Sequence, residues 1–535
     1  MTSIRGAQTI WFAISIGFVG SAATAAPPDP PLRVIVELHE APAPGALPAG
    51  LRSLSADGLR WGGALHGAER EALQAAHPGA TVRPPWPVRP PGGRDPWLTS
   101  AGPPAPPALV GRAAEAHGHA AWAAAGFDGR GVTVAVIDVG FHGLDAIPAD
   151  ARPRAVRPVA GLRLPAAGAP GEAHGAAVVE VLGRLSPGVE VWTAPIADEL
   201  DLLEAMAAIT ALQPDLVVAS LGFDNVWPAD GTSPVARAVD ALVDETGAVW
   251  VAAAGNERGR YRRGAVTDQD GDGLLEVDGE EALRLGAREG ELAARLRWAG
   301  APPIALEVEL VDLWGQPCAA AIRRAATAQV VDLISGCDGD QVTLALRAAA
   351  APTAALVVYA PGGLADAAPS HELTVPADAA RALAVGACAQ LDGATADPGA
   401  PVVWAAAPYS SRGPTEDGRL RPQLCGVDGF ASTSLGGAFR GTSAAAPVVA
   451  SLLALQLDAR RRSDPAAVLR GAAVDAGPTG ADTGSGAGRA WLGSPPCGCG
   501  GGAPAGISLL AGLVALSRRR ARPQRPRAAP PCAGR

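Results

Sequence analysis

Four residues in this chain have the types and settings needed to cleave an acyl bond. Ser443 lies in Phe439-Arg440-Gly441-Thr442-Ser443-Ala444-Ala445-Ala446-Pro447, where a glycine-threonine turn runs into alanines and Pro447 is expected inside the first turn of a buried helix. A hydroxyl at that place faces the free N–H groups and the positive dipole end of the helix, which favour negative charge developing beside it. Three further groups complete such chemistry: a base for the hydroxyl proton, a carboxylate that orients the base, and a donor for the oxyanion. His174 opens a helix in Gly171-Glu172-Ala173-His174-Gly175-Ala176-Ala177-Val178. Asp138 ends the apolar run Ala135-Val136-Ile137, and Asn256 closes the loop Ala252-Ala253-Ala254-Gly255-Asn256.

Together these runs resemble the motifs of the subtilisin-like (subtilase) peptidases. Ser443 sits in that family's G-T-S-x-x-x-P, Asp138 where it has a strand-end D-[ST]-G, His174 where it has H-G-T, and Asn256 in its A-A-G-N. The order Asp, His, Asn, Ser is that of subtilisin, and differs from the orders of chymotrypsin and of the α/β-hydrolases. The resemblance covers residues 122–458 apart from an insert. It implies a serine endopeptidase working through an acyl-enzyme: Ser443 attacks, His174 moves the proton, Asp138 holds the imidazole, and Asn256 with the Ser443 N–H holds the oxyanion. It also implies that Ser220-Leu221-Gly222, similar to the family's S-[LW]-G, pairs with the substrate backbone. Ala176, Val139, Val448 and Ser451 depart from the family pattern, which bears on fine geometry more than on reaction class. The rival reading is a catalytically inactive subtilase-fold binding protein at the cell surface, and an esterase is a third. Survival of all four chemical positions favours the peptidase, because a binding module does not need them.

The elements that must position these groups follow from hydrophobic periodicity. Short apolar strands at 132–137, 189–193, 216–220 and 248–253 alternate with helices after His174, at 200–212 and at 235–244. Such alternation means a parallel sheet with helices on both faces, whose reactive groups gather beyond the carboxyl ends of the strands. The fold class is therefore α/β, a subtilisin-like sheet. After Arg258 the alternation gives way to short strands, including 292–298, 304–311, 342–346 and 355–359, which read as an inserted β-sandwich. The α/β pattern resumes at 382–387 and ends in a helix expected over 443–460.

This gives six segments: a signal peptide (1–25), an N-terminal region with a Pro-rich linker (26–107), the first stretch of a catalytic domain (108–258), the β insert (259–373), the second stretch of the catalytic domain (374–494) and a tail (495–535). In secreted subtilases the N-terminal position is that of an inhibitory pro-segment, and an ordinary accessory domain is the alternative. Arg5, the apolar run 10–19 and Ala23-Thr24-Ala25 have the layout of a secretory signal, so the protein is expected to be secreted or held at the cell surface. The tail combines Cys497-Gly498-Cys499, an apolar stretch over 503–516 and Arg518-Arg519-Arg520, and resembles the C-terminal sorting signals of myxobacterial surface proteins, which implies a processing address with the mature protein held at or released from the cell surface.

At 535 residues, 48% hydrophobic, with mean hydropathy +0.16, the chain supports large cores. Its net charge of −9, without a basic block in the folded region, argues against nucleic acid as a partner. Polypeptide substrates and a monomeric state are expected. Of seven cysteines, Cys318 and Cys337 lie in one segment and Cys388 and Cys425 in another, which allows two local disulfides, though sequence does not fix the pairing. Asp268, Asp270 and Asp272 with Gly273 begin like a calcium loop. Gly279 stands at the twelfth position where an EF-hand needs glutamate and Glu280 follows, so Ca2+ is a candidate ligand only, and no cofactor is required. His117, His119 and His142 lack the helix-opening context of His174 and are expected at the surface.

Overall fold

The computed structural model describes residues 30–496, apart from 56, 89–113, 164–171, 289–291, 299–305, 313, 315, 319, 325–329, 338, 340, 349–354, 369, 391–402 and 460–463. The expected signal peptide, most of the Pro-rich linker and the cysteine-containing tail lie outside the described residues. The chain divides into two units, the first ending at Val82. In that first unit, β1 (Leu32–Glu37), β2 (Leu51–Ser53), β3 (Arg60–Leu65) and β4 (Thr81–Arg83) form a sheet in the order β2-β3-β1-β4. The helix α1 (Gly67–Ala76) adds Leu73 to a small core with Val34, Val36 and Leu65.

In the second unit, α2 (His119–Ala124) precedes the main sheet. The first strands of that sheet are β5 (Thr133–Asp138), β6 (Ala155–Pro158), β7 (Glu190–Pro195), β8 (Leu216–Ala219) and β9 (Val249–Ala253). Between them run α3 (His174–Leu185), α4 (Glu199–Leu212) and α5 (Pro234–Thr246). These helices begin where the sequence offers caps. Asp198 accepts from Asp201 N–H ahead of α4, and Ser233 accepts from Ala236 N–H ahead of Pro234.

The chain then leaves the sheet for a run of strands, nine among the described residues: β10 (Tyr261–Thr267), β11 (Glu276–Val277), β12 (Ala282–Gly286), β13 (Ala293–Trp298), β14 (Leu306–Val311), β15 (Ala320–Arg324), β16 (Val330–Ser335), β17 (Gln341–Ala348) and β18 (Ala355–Tyr359). They form a six-stranded sheet, β11-β10-β18-β13-β16-β15, and a three-stranded sheet, β12-β17-β14. Leu283, Leu310, Leu344 and Leu346 of the smaller sheet share one core with Leu296, Leu333, Leu356 and Val358 of the larger. Two antiparallel sheets closing on one apolar layer make a sandwich. Cys318 and Cys337 are joined by a disulfide in this insert.

The main sheet resumes with β19 (Ala382–Gln390), β20 (Trp404–Ala406) and β21 (Leu424–Val427), followed by the hairpin of β22 (Phe430–Ser432) and β23 (Gly437–Phe439). The helices α6 (Thr442–Ala459) and α7 (Pro465–Gly471) come last. Strand order is β20-β19-β9-β8-β5-β7-β6, parallel from β6 through β19, with β21 also parallel to β19 and tied to it by the Cys388–Cys425 disulfide.

Alternation along each strand shows why helices cover both faces. Val134, Val136, Leu216, Val218, Val251, Ala253, Leu383 and Val385 join the apolar residues of α3 and α6 in one core. Their alternate neighbours Ala135, Ile137, Val217, Ala219, Trp250 and Ala252 are equally buried on the other side, where α4 packs against α5. Central α6 is apolar all round because it is enclosed all round: every residue from Thr442 to Gln456 is buried.

Two histidines correct the sequence reading. His117 and His119 are buried, whereas His142 is exposed. His117 Nδ1 lies 2.7 Å from the Ala490 carbonyl, so it carries the proton, while Nε2 accepts from the Val427 N–H at 3.1 Å. Both ring nitrogens are thus satisfied only in the neutral form, and burial drives the pKa down to about 4. His119 is lowered as well, chiefly by burial, with its Nε2 against the Leu185 carbonyl.

The unfolded chain protonates residue 117 near pH 6.5, but the folded chain resists until about pH 4. Stability from this site is therefore complete above pH 6.5 and lost as the pH falls toward 4, by about 3 kcal/mol in total. Glu372 and Asp378, which burial raises to about 7, act in the opposite sense, so the difference between two proteins is the informative quantity. We predict that His117→Gln is less stable than wild type at pH 7.5, and that urea titrations show this deficit shrinking by about 2–3 kcal/mol at pH 4.5. A deficit independent of pH contradicts the assignment.

Candidate active site

The site is built at the start of α6, and Pro447 determines how. The proline is the sixth residue of the helix and so lies in its second turn, one turn deeper than the sequence suggested. Lacking an N–H, it cannot bond the carbonyl four residues back, which is that of Ser443. Ser220 Oγ supplies the missing donor, reaching the Ser443 carbonyl at 3.0 Å from just beyond β8. One turn further on, Ser451 Oγ donates to the Pro447 carbonyl at 2.9 Å. The side chain of Ser220 is therefore committed to the helix. Leu221 and Gly222 beside it are buried, and a Cβ on Gly222 would meet the Thr374 side chain at 2.5 Å.

Asn256 follows β9 and closes the helix start from the other side. Its Oδ1 accepts from Thr442 N–H at 2.9 Å and from Thr442 Oγ1 at 3.2 Å, and Thr442 Oγ1 in turn accepts from Gly255 N–H at 3.2 Å. Accepting from a backbone N–H fixes which end of the amide is oxygen, so Nδ2 is the donor on the opposite edge. The preceding Gly441 is held by Asp428 Oδ2, which also accepts from Tyr409 Oη. Burial raises the Asp428 carboxyl above its usual range, with these hydrogen bonds opposing the shift.

Asp138, at the end of β5, is fully buried, and its Oδ1 lies 2.8 Å from His174 Nδ1 and accepts from Val139 N–H at 2.8 Å. A carboxylate can only accept, so Nδ1 carries the imidazole proton and Nε2 presents its lone pair. The glycine after His174 is required by the close approach of this strand end: a Cβ on Gly175 would lie 2.5 Å from the Gly140 carbonyl oxygen and 2.8 Å from Asp138 Cβ. On its other side the imidazole meets Phe439 edge-on, with ring centroids 5.2 Å apart. Phe439 ends β23, four residues before Ser443. The Ser443 hydroxyl is buried and makes no hydrogen bond among the described residues, so the Asp138–His174 pair is formed but no His174–Ser443 hydrogen bond is. Catalytic bonds of this kind are often open until substrate arrives.

Glu180 is a residue the sequence reading missed. It lies on α3 two turns after His174, almost wholly buried, and accepts from Ser432 Oγ at 3.0 Å and Thr433 N–H at 2.9 Å, with Arg184 alongside. It thereby anchors the turn of the hairpin that brings Phe439 to the imidazole. A carboxylate within the apolar run Ala176-Ala177-Val178-Val179-Glu180-Val181 was the available signal.

In the insert, the carboxylates of Asp268, Asp270 and Asp272 lie within 4.8 Å of one another, and Asp270, Glu276 and Glu281 form a second such group. Neither Gly279 nor Glu280 belongs to either group. Burial and the neighbouring acids raise Glu281. The loop N–H groups of Gly271, Asp272 and Leu274 already donate to the three aspartates. An all-oxygen donor set of this kind has the chemistry of a calcium ligand.

Residues 312–488 match the subtilase family, Peptidase_S8. The matched stretch holds Ser443 and excludes Asp138, His174 and Asn256. No curated protein matches the chain. Among solved structures, the CspB protease of Clostridium perfringens is similar at 15% identity and a TM-score of 0.51, covering 71% of this chain and 97% of that one. Fervidolysin from Fervidobacterium pennivorans, a keratinolytic enzyme related to subtilisin, aligns at 14% identity over 87% of this chain and 60% of that one, with a TM-score of 0.43. With a subtilase-family segment around Ser443 and a helix-flanked parallel sheet, this chain has the fold of the subtilisin-like proteases.

Proposed function

We propose that the chain is an exported serine endopeptidase of the subtilase type. The observation that carries this reading is the 2.8 Å contact between His174 Nδ1 and Asp138 Oδ1, with the imidazole edge-on to Phe439, four residues before Ser443. Ser443 Oγ attacks the peptide carbonyl and gives its proton to His174 Nε2 as the C–O bond forms. Asn256 Nδ2 and the Ser443 N–H hold the oxyanion. The C–N bond then breaks as His174 returns the proton to the leaving amine, and water attacks the acyl-enzyme by the same route. Asp138 keeps the imidazole in the productive tautomer and stabilises it when charged. These steps require no metal or cofactor. Ser220, Leu221 and Gly222 act as the substrate edge through their backbone, since the Ser220 hydroxyl is engaged with α6. Export rests on the signal-like N-terminus, and surface attachment on the cysteine-containing tail.

Wild-type protein freed of its N-terminal region is expected to react with a fluorophosphonate probe, and Ser443→Ala to lose the label completely. A folded wild type that takes no label favours the inactive binding protein instead. Asn256→Ala is expected to lower kcat about 10²–10³-fold with little change in KM. Because the same amide clasps Thr442, it is also expected to lower unfolding stability by about 1–3 kcal/mol in urea titrations. Only a neutral imidazole accepts the serine proton, so peptide hydrolysis should persist at mildly alkaline pH, and a rate maximum near about pH 4 would rule out this mechanism.

A further inference from the structure

Side chains on the six-stranded sheet of the insert alternate between two faces. Leu296, Trp298, Leu356 and Val358 enter the sandwich core. Arg295, Arg297, Val357 and Tyr359, with Tyr261 alongside, form the opposite face, and the pairings Tyr261↔Tyr359 and Arg295↔Tyr359 align three of them in one row across the strands. Residues of the main-sheet part of the chain hydrogen-bond to this face, and the Arg295 guanidinium also lies over the Trp86 ring, 5.4 Å from its centroid.

Two of the covering segments belong to the cleft. Asn225 stands three residues beyond Gly222, buried and with φ +50°, a backbone region that asparagine tolerates better than most residues. Its Nδ2 donates to the Arg295 carbonyl at 2.9 Å and the Val357 carbonyl at 3.0 Å, and its Oδ1 accepts from Arg297 Nε at 3.0 Å. Arg295 Nη1 donates to the Asp224 carbonyl at 2.9 Å. Glu257, immediately after Asn256, is the second segment. Its Oε2 accepts from Tyr359 Oη at 2.9 Å and from Arg260 at 2.7 Å, and Tyr359 Oη is also 3.3 Å from Asp224 Oδ2. Burial would push Glu257 up, but Arg260, Arg288 and Tyr359 together outweigh it and hold the carboxyl below its usual range. A dense set of directional bonds fixes position where an apolar contact would allow sliding.

We propose that the insert sets the geometry of the cleft, with Asn225 positioning the substrate-edge segment 220–222 and Tyr359 positioning the loop that carries Asn256. This rests on the protease reading of that cleft. Neither residue touches substrate; each acts through the backbone it holds.

The test compares full-length wild type with Asn225→Gly, which keeps the backbone conformation, with Tyr359→Phe, which removes one oxygen, and with Leu344→Ala, which loosens the sandwich core away from the seam. Steady-state hydrolysis of an extended peptide, fluorophosphonate labelling rates and backbone hydrogen exchange are measured on each. N225G is expected to raise KM about tenfold with kcat and labelling nearly unchanged, and to speed exchange over 220–223. Y359F is expected to lower kcat and the labelling rate about tenfold with KM nearly unchanged, and to speed exchange over 254–257. L344A is expected to lower Tm and show neither signature. The proposal is overturned if L344A reproduces the same kinetic changes, or if exchange in both segments stays at its wild-type rate. Exchange is read without activity, so an inert wild type rejects the protease reading while the exchange pattern still decides this one.

Discussion

The donor that Pro447 lacks is the constraint on which this molecule turns. A helix buried from end to end cannot leave a carbonyl unpaired at its start, because no water is there to replace the missing bond. The Ser443 carbonyl receives a hydroxyl from the end of β8, and the Thr442 N–H an amide oxygen from the loop after β9. Satisfying the backbone of one helix thus draws the ends of two neighbouring strands to a single point. Asn256 and the segment bearing Ser443 become neighbours through ordinary hydrogen-bond demand.

Asp138 and His174 are brought together by the same logic. Asp138 is buried at a strand end, where Val139 N–H and the imidazole are its bonded donors. The helix bearing His174 packs on α6, and its buried Glu180 secures the hairpin turn whose last strand ends in Phe439. The imidazole is therefore oriented from one edge by a charge and from another by a ring. Asp428 repeats the pattern at Gly441, giving the turn before the serine a buried carboxylate of its own. Rigid support of this kind is what lets a site hold its groups in place before substrate binds.

Much of this was legible in the sequence because it is local. Runs such as Val134-Ala135-Val136-Ile137 mark strands buried on both faces, and the small residues around Ser443 and Asn256 mark where backbones approach closely. The sandwich was legible from the change of period after Arg258, whereas the cysteine pairing waited on the fold. What escaped depends on partners far away in the chain. Nothing near Pro447 shows that a hydroxyl 223 residues upstream of Ser443 will serve its helix. His117 is read as a surface residue until Ala490 and Val427, 373 and 310 residues distant, are brought against its two nitrogens. In the acidic loop, Glu276 and Glu281 come beside Asp270 through the fold, a grouping that counting along the loop does not show.

The pairing of Tyr261 with Tyr359 has a bearing on how the split domain can form at all. Between β9 and its parallel neighbour β19 the ribosome must add the whole sandwich, and an unstructured segment of that length would burden sheet closure with a large loss of chain freedom. Because the first and last strands of the insert lie side by side, its two ends emerge a single strand-spacing apart once it has folded. To the growing sheet, the sandwich then behaves like a short connection. An excursion long enough to be a domain is felt by the final strand and helix as little more than a turn.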